Sequence, residues 1–278
     1  MTVFGEFFKD GNFSGSRYTA ELTNNWRYYW MKFGSDLKNE VSSMRARSYD
    51  GRSGNAYGFT SNDFSGDMAT LNMANNWTCW WSSLGAAMND DIESALLINR
   101  STDEIELNMS SLLQTSFATA FDAATTGTEV SRSGDPKVYA VFWPSWDGSR
   151  KFVRIEQNMT VDINWWPDYE AQVQYDIYFY VSGGQVRAHV ARTRTWVEGG
   201  IFSNSIKNEL HPKMVAGTSD LNDKLTSGLG LLNGLSSLRG GFRSVYLLPG
   251  NAPSMPPPPG NGARMGSAYE SSTVVLTF

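Results

Sequence analysis

The side chains able to do covalent chemistry are few. The chain holds two histidines, His189 and His211, and one cysteine, Cys79. A histidine beside a carboxylate or a hydroxyl can serve as a general base in hydrolysis. His189 stands in an alternating stretch among arginines, and His211 directly precedes Pro212. Neither has a partner at motif spacing, and both also read as solvated or core-edge residues. Cys79 is flanked by Thr78 and Trp80 and reads as a small buried apolar residue, not a nucleophile. A single cysteine excludes an intrachain disulfide and a paired-thiolate metal site. No phosphate-binding glycine loop, nucleophile elbow or metal-hydrolase helix signature occurs.

Non-covalent recognition is better supplied. Arg187, Arg192 and Arg194 lie with His189 on one predicted strand and suit an anion or a lipid headgroup; the same set also reads as a solvated sheet face. Tryptophans cluster at Trp80-Trp81 and near predicted turns at Trp143, Trp146, Trp165 and Trp166, with Trp196 further on. Tryptophan at a loop tip stacks on sugars or sits at a membrane interface, and it also packs cores.

The elements that must hold these residues are mainly β. With 278 residues the chain suffices for one large domain or two ordinary ones. An apolar content of 41% and an aromatic content of 13% argue against disorder. The net charge of −5 gives no global basic footprint for nucleic acid. No apolar run reaches 18 residues, so no transmembrane helix is expected. The N-terminus reads straight into strand-like sequence without a signal-peptide pattern. The expectation is a secreted or released protein whose signal is already removed, or a cytoplasmic one.

The first third is duplicated. Phe8-x4-Phe13-x-Gly15 recurs as Phe59-x4-Phe64-x-Gly66, an offset of 51 positions. The offset persists: Asn25-Trp26 matches Asn76-Trp77, Trp30 matches Trp81, and Ser43 matches Ser94. Each copy reads as four short strands with turn residues between them, the pattern of an antiparallel Greek key. The glycine after the second aromatic marks a folded-over hairpin needing positive φ or close passage by a ring.

This double pattern resembles the βγ-crystallin Greek-key domain of the microbial, calcium-binding type, over residues 2–98. The resemblance implies a calcium motif in each copy, of the form Asn/Asp-Asn/Asp-x-x-Ser/Thr-Ser. The aligned segments are Lys38-Asn39-Glu40-Val41-Ser42-Ser43 and Asn89-Asp90-Asp91-Ile92-Glu93-Ser94. The implied ligands are Asn39, Glu40 and Ser42 in one copy and Asn89, Asp90, Asp91 and Glu93 in the other, with calcium taking six to eight oxygens. Two positions depart from the motif: Lys38 brings a cation where the family has Asn or Asp, and Glu93 stands where it has Ser or Thr. Without calcium, Ser43 and Ser94 serve as backbone braces.

After residue 98 no family pattern is evident. Ser101 and Glu104 fit a capping box, and Ile105, Leu107, Met109, Leu112 and Leu113 form an apolar stripe. These predict a helical connector over 99–135, mostly helix from Thr102 to Ala124. Residues 136–278 predict an α+β domain. Ala171, Val173, Tyr175, Ile177, Phe179 and Val181 alternate with polar partners, and the stretches on either side alternate too, giving a long antiparallel meander. Residues 203–238 carry leucines at helical steps, interrupted by Pro212 and several glycines. Residues 249–266 read as a Pro/Gly-rich loop, and Ser272 to Phe278 as a closing strand.

The expected function is a non-enzymatic binding or effector protein. Its partner is a glycan or a membrane surface, as for a membrane-active or cell-surface-binding toxin, and its Greek-key module binds calcium. The alternatives are an enzyme with its site in residues 136–278, and a structural or stress protein.

Overall fold

The computed structural model describes residues 2–23, 26–49, 51, 53–73, 78–86, 88–100, 103–143, 150–164, 167–250, 263–269 and 272–278. The fold is mainly β, with four antiparallel sheets and two helices among the described residues. The chain resolves into two compact units. One gathers Met1–Asp103, Val141–Arg150 and Gly250–Glu270, the other Glu104–Ala140, Lys151–Pro249 and Ser271–Phe278.

The first unit begins with two copies of a four-strand motif. Strands β1 (Thr2–Asp10), β2 (Ser14–Thr23), β3 (Tyr28–Lys32) and β4 (Ser43–Ser48) form one copy; β5 (Ser53–Phe59), β6 (Asp67–Met73), β7 (Thr78–Trp81) and β8 (Ser94–Arg100) form the other. Each copy gives its third strand away. The sheet β2-β1-β4 accepts β7, and the sheet β6-β5-β8 accepts β3, which makes a double Greek-key sandwich. Phe7, Leu22 and Met44 from one sheet and Leu71 and Leu97 from the other share one buried cluster. Neither copy can bury its apolar face alone.

The duplicated aromatics have a structural reason. Phe8 meets Phe13 edge to face at 5.7 Å, and Phe59 meets Phe64 at 6.0 Å. The folded hairpin between them puts Gly15 at φ +74° and Gly66 at φ +82°. A Cβ would strike the Asp10 carboxylate at Gly15 and would lie 2.5 Å from Thr60 Oγ1 at Gly66. The paired serines brace the same hairpins: Ser43 Oγ donates to the Asp10 carbonyl at 2.7 Å, and Ser94 Oγ to the Ser61 carbonyl at 2.6 Å.

In the second unit, Glu104–Asn108 forms strand β9 where the sequence predicts helix. Ile105 and Leu107 also fit a period of two, and the pairing that decides between the periods is with the far C-terminus. The helix α1 (Met109–Thr125) starts at Asn108, whose side chain accepts from the Ser111 N–H at 3.0 Å. Four long strands follow as a meander: β10 (Val130–Trp143), β11 (Arg150–Val161), β12 (Tyr169–Ser182) and β13 (Gln185–Val197), in that spatial order. Gly183 and Gly184, both at positive φ, close the last hairpin. Helix α2 (Ser203–Ser237) runs unbroken through Pro212, and β14 (Ser244–Pro249) follows it.

Of the segment expected as a loop over 249–266, Ala263–Ser267 is instead strand β15, which pairs antiparallel with β6 in the first unit. Residues 251–262, with the four consecutive prolines, lie outside the described residues. Strand β16 (Ser272–Thr277) returns to the second unit and pairs with β14 on one side and β9 on the other.

Candidate functional site

The two loops aligned to the calcium motif lie together in the first unit and answer each other across the repeat. Asn39 N–H donates to the Ile92 carbonyl at 3.1 Å, and Asp90 N–H donates to the Val41 carbonyl at 3.2 Å. Both Asn39 (φ 57°) and Asp90 (φ 61°) adopt the left-handed region, which Asn and Asp tolerate best among residues with a Cβ. The side chains differ between the loops. Ser42 Oγ donates to Asp90 Oδ1 at 2.8 Å, and Asn89 Nδ2 donates to Asp90 Oδ2 at 2.7 Å. Glu40 pairs with Lys9 at 3.2 Å. At the symmetry-related place Glu93 pairs with Lys38 at 3.5 Å, while Asp91 points into solvent. Among the described residues no ammonium bonds the Ser42–Asp90 pair, whereas Glu93 in the other half carries the Lys38 ammonium. Among the described residues no three His, Cys, Asp or Glu side chains gather as a metal group.

The meander of the second unit has two unlike faces. One carries Ala171, Val173, Ile177, Val186 and Val190 and is buried. The other carries Arg154 bonded to Asp176 at 2.7 Å, Tyr139 bonded to Glu156 at 2.9 Å, and Gln174 bonded to Glu156 at 3.1 Å. A bulge opposite Asp176 and Ile177 leaves Ala191 without a cross-strand partner. It reverses the alternation of β13, so Arg192, Arg194 and Trp196 join Arg187 and His189 on the polar face. Strict alternation would separate Arg187 from Arg192 and Arg194. The structure instead brings all three to one face.

On that face Arg187 and Arg192 are exposed, and Arg194 is half-buried with its Nε lacking a hydrogen-bond partner among the described residues. Burial and the neighbouring Arg192 and Arg154 depress the Arg194 pKa. Trp196 is 58% exposed. His189 stacks on Tyr178 at 5.9 Å, and His211 Nδ1 lies 3.1 Å from the Thr195 hydroxyl on the other face. Cys79 donates to the Asn72 carbonyl at 2.9 Å, and burial pushes its thiol up to about 11, which holds it as an unreactive thiol. Trp146, Trp165 and Trp166 lie outside the described residues; Trp143 ends β10. Trp80 is half-exposed, and Trp81 is buried.

A concave feature lies on the apolar face. Helices α1 and α2 flank a groove of about 1320 Å³ whose floor is the sheet. Ile155, Val161, Tyr175 and Phe179 form the floor, Leu113, Phe117 and Phe121 one wall, and Leu221, Leu225 and Leu229 the other. Phe117 packs edge to face on Tyr175 at 5.6 Å. Tyr175 donates its hydroxyl to the Met214 carbonyl of α2 at 3.1 Å, and burial raises its pKa to about 12. Charged groups line the groove too: Glu129, Asp162, Glu209 and Asp220 against Lys213 and Lys224. The sequence carries the apolar residues of each wall, but their periodicity does not reveal that the two helices stand apart.

No family model, curated protein or solved structure matches this chain.

Proposed function

We propose that the protein is a non-enzymatic effector that engages lipid, with the groove between α1 and α2 taking the acyl chains of an amphiphile. The groove itself carries this reading. A soluble domain ordinarily closes apolar walls on each other, because each buried methylene contributes about 0.8 kcal/mol. Here aliphatic and aromatic walls stand around about 1320 Å³. That exceeds the roughly 300–1,000 Å³ of ordinary small-molecule sites, so a long or doubled chain fits better than a compact solute. Four carboxylates against two ammonium groups in the lining disfavour a free fatty acid and favour a zwitterionic headgroup. The exposed arginines and Trp196 on the opposite face of the sheet suit a membrane surface as a further contact.

Displacement of an apolar fluorescent probe by lysophosphatidylcholine tests this. The expected result is saturable binding of the lysolipid, weaker binding of the matching fatty acid, and at least tenfold loss in Ala120→Trp, which fills the groove. Equal binding by Ala120→Trp and wild type overturns the reading.

A second property is favoured by the unequal loops. The Ser42–Asp90 pair offers hard oxygens of the kind calcium takes, and the nearby Lys9 ammonium is drawn to Glu40 instead. Ser42, Asp90 and backbone carbonyls of the same loops would hold the ion, which would supply charge neutralisation and cross-linking of the two repeats, with no part in catalysis.

A further inference from the structure

The outermost strand β13 is covered by α2 in an unusual way. Asn233 of α2 accepts from the Val186 N–H at 2.8 Å and donates to the Val186 carbonyl at 2.9 Å. Eleven residues earlier on the helix, Asn222 accepts from the Val190 N–H at 2.7 Å. Thr218 and Thr193 share a hydroxyl contact at 3.0 Å. Carboxamides thus occupy backbone positions where a neighbouring strand would bond, and a side-chain amide offers the same donor and acceptor as a peptide. At the other outermost strand, Ser110 of α1 donates to the Val138 carbonyl of β10 at 3.0 Å. Both free edges of the sheet therefore have helix side chains bonded to them, as edges prone to pairing must.

The strap is built to be weak. Gly228, Gly230 and Gly234 stand inside α2, and a Cβ at any of them would meet nothing within 4 Å. No packing reason requires glycine there, and each costs the helix up to about 1 kcal/mol relative to alanine. Pro212 removes one more helical bond. Leu231, Leu235 and Leu238 near the helix end remain exposed.

We propose that the β13 edge is an interaction surface for β10 of a second copy of this chain, uncovered when α2 lifts, with the one Ser110–Val138 bond at the β10 edge exchanged for the new ladder. In a four-stranded antiparallel meander the two outer strands run in opposite senses. Strand β13 of one copy and β10 of the next, set side by side in one sheet, are antiparallel and continue the same ladder. Their lengths match, at 13 and 14 residues. The contact is head-to-tail, so it builds a ring or an open chain instead of a closed dimer. This rests on the edge contacts alone and stands whether or not the groove takes lipid.

The test is a reversible lock on the full chain. In a Cys79→Ala background, Thr193→Cys with Thr218→Cys places two thiols where the hydroxyls touch. Cross-linked size is measured in buffer and on phosphatidylcholine vesicles, oxidised and reduced. Oxidised protein is expected to remain monomeric, and reduction to restore species of three or more copies by at least tenfold. Asn222→Ala with Asn233→Ala is expected to assemble more readily than wild type, in buffer as well. Gly228→Ala/Gly230→Ala/Gly234→Ala, which strengthens the helix and so folds, is expected to assemble at least tenfold less. Equal assembly of oxidised and reduced lock overturns the proposal, as does the absence of assembly in every form. Assembly of the loosened variant in buffer with no lysolipid binding would sink the lipid reading and leave this one standing.

Discussion

Ser42 donates its hydroxyl to Asp90 at 2.8 Å across 48 positions of sequence, while the equivalent place in the other repeat holds the ion pair Lys38–Glu93 at 3.5 Å. Two loops that share one sequence pattern are electrostatically different. A lysine ammonium beside the oxygens repels a divalent ion, and a hydroxyl–carboxylate pair does not. Calorimetric titration is therefore expected to find one calcium per chain, lost in Asp90→Ala. Lys38→Asn is expected to raise the count to two. Heat in Asp90→Ala equal to wild type would contradict the assignment of the ion to the Ser42 half.

Glu6 accepts from Arg45 at 2.8 Å and Arg47 at 2.9 Å, with only 7% of its side chain exposed. Burial pushes its pKa up, but the two guanidinium groups outweigh burial and hold it below the ordinary 4.5. A carboxylate with a depressed folded pKa stabilises above its unfolded value, and that share is lost as pH falls through the folded value. Glu6→Gln is expected to cost about 2 kcal/mol at pH 7, from lost charge-assisted bonds. The gap to wild type should close progressively below pH 4.5 in urea unfolding. A gap that stays constant to pH 2 would show that shape, not charge, is what Gln fails to supply.

The glycines of the duplicated hairpin give a sharper test of backbone geometry. Gly66 sits at φ +82° with Thr60 Oγ1 where a Cβ would go. Gly66→Ala therefore combines a left-handed strain with a steric clash, expected to cost about 2 kcal/mol or more. Gly85, at φ +70° with open space around it, carries the strain without the clash. Gly85→Ala is expected to cost about 1 kcal/mol. Equal melting temperatures for the two variants would remove the clash from the account.

What the sequence discloses and what it hides follows the range of the interactions. The offset of 51 positions is local information repeated, so the aromatic pairs, Gly15, Gly66, Ser43 and Ser94 are all legible in the sequence. The mainly-β class is legible for the same reason. Strand β9 is not, because Glu104 to Asn108 satisfies both periods and its partner β16 lies about 170 residues onward. The bulge at Ala191 is equally hidden: nothing in Val190-Ala191-Arg192 distinguishes an extra residue from an alternating one, yet it decides which arginines share a face. Asn222 and Asn233 read as polar positions on a helix, and only the position of the β13 edge makes them backbone mimics. The groove depends on the distance between two helices, which periodicity along one chain does not encode.

The buried pair on the polar face separates specificity from stability. Arg154 bonds Asp176 at 2.7 and 3.2 Å, with 12% and 4% of the side chains exposed. Burial pulls the Arg154 pKa down, and the bidentate carboxylate more than restores it. Removing the cation strands a charge, and Arg154→Ala is expected to cost about 3–5 kcal/mol at pH 7. Removing both, as Arg154→Met with Asp176→Leu, is expected to recover most of that loss. Urea unfolding of the two variants checks this: a double variant no more stable than Arg154→Ala would contradict the account. An Arg154→Ala variant as stable as wild type would mean that another cation, with Arg192 directly opposite Asp176 as the nearest by register, has replaced Arg154.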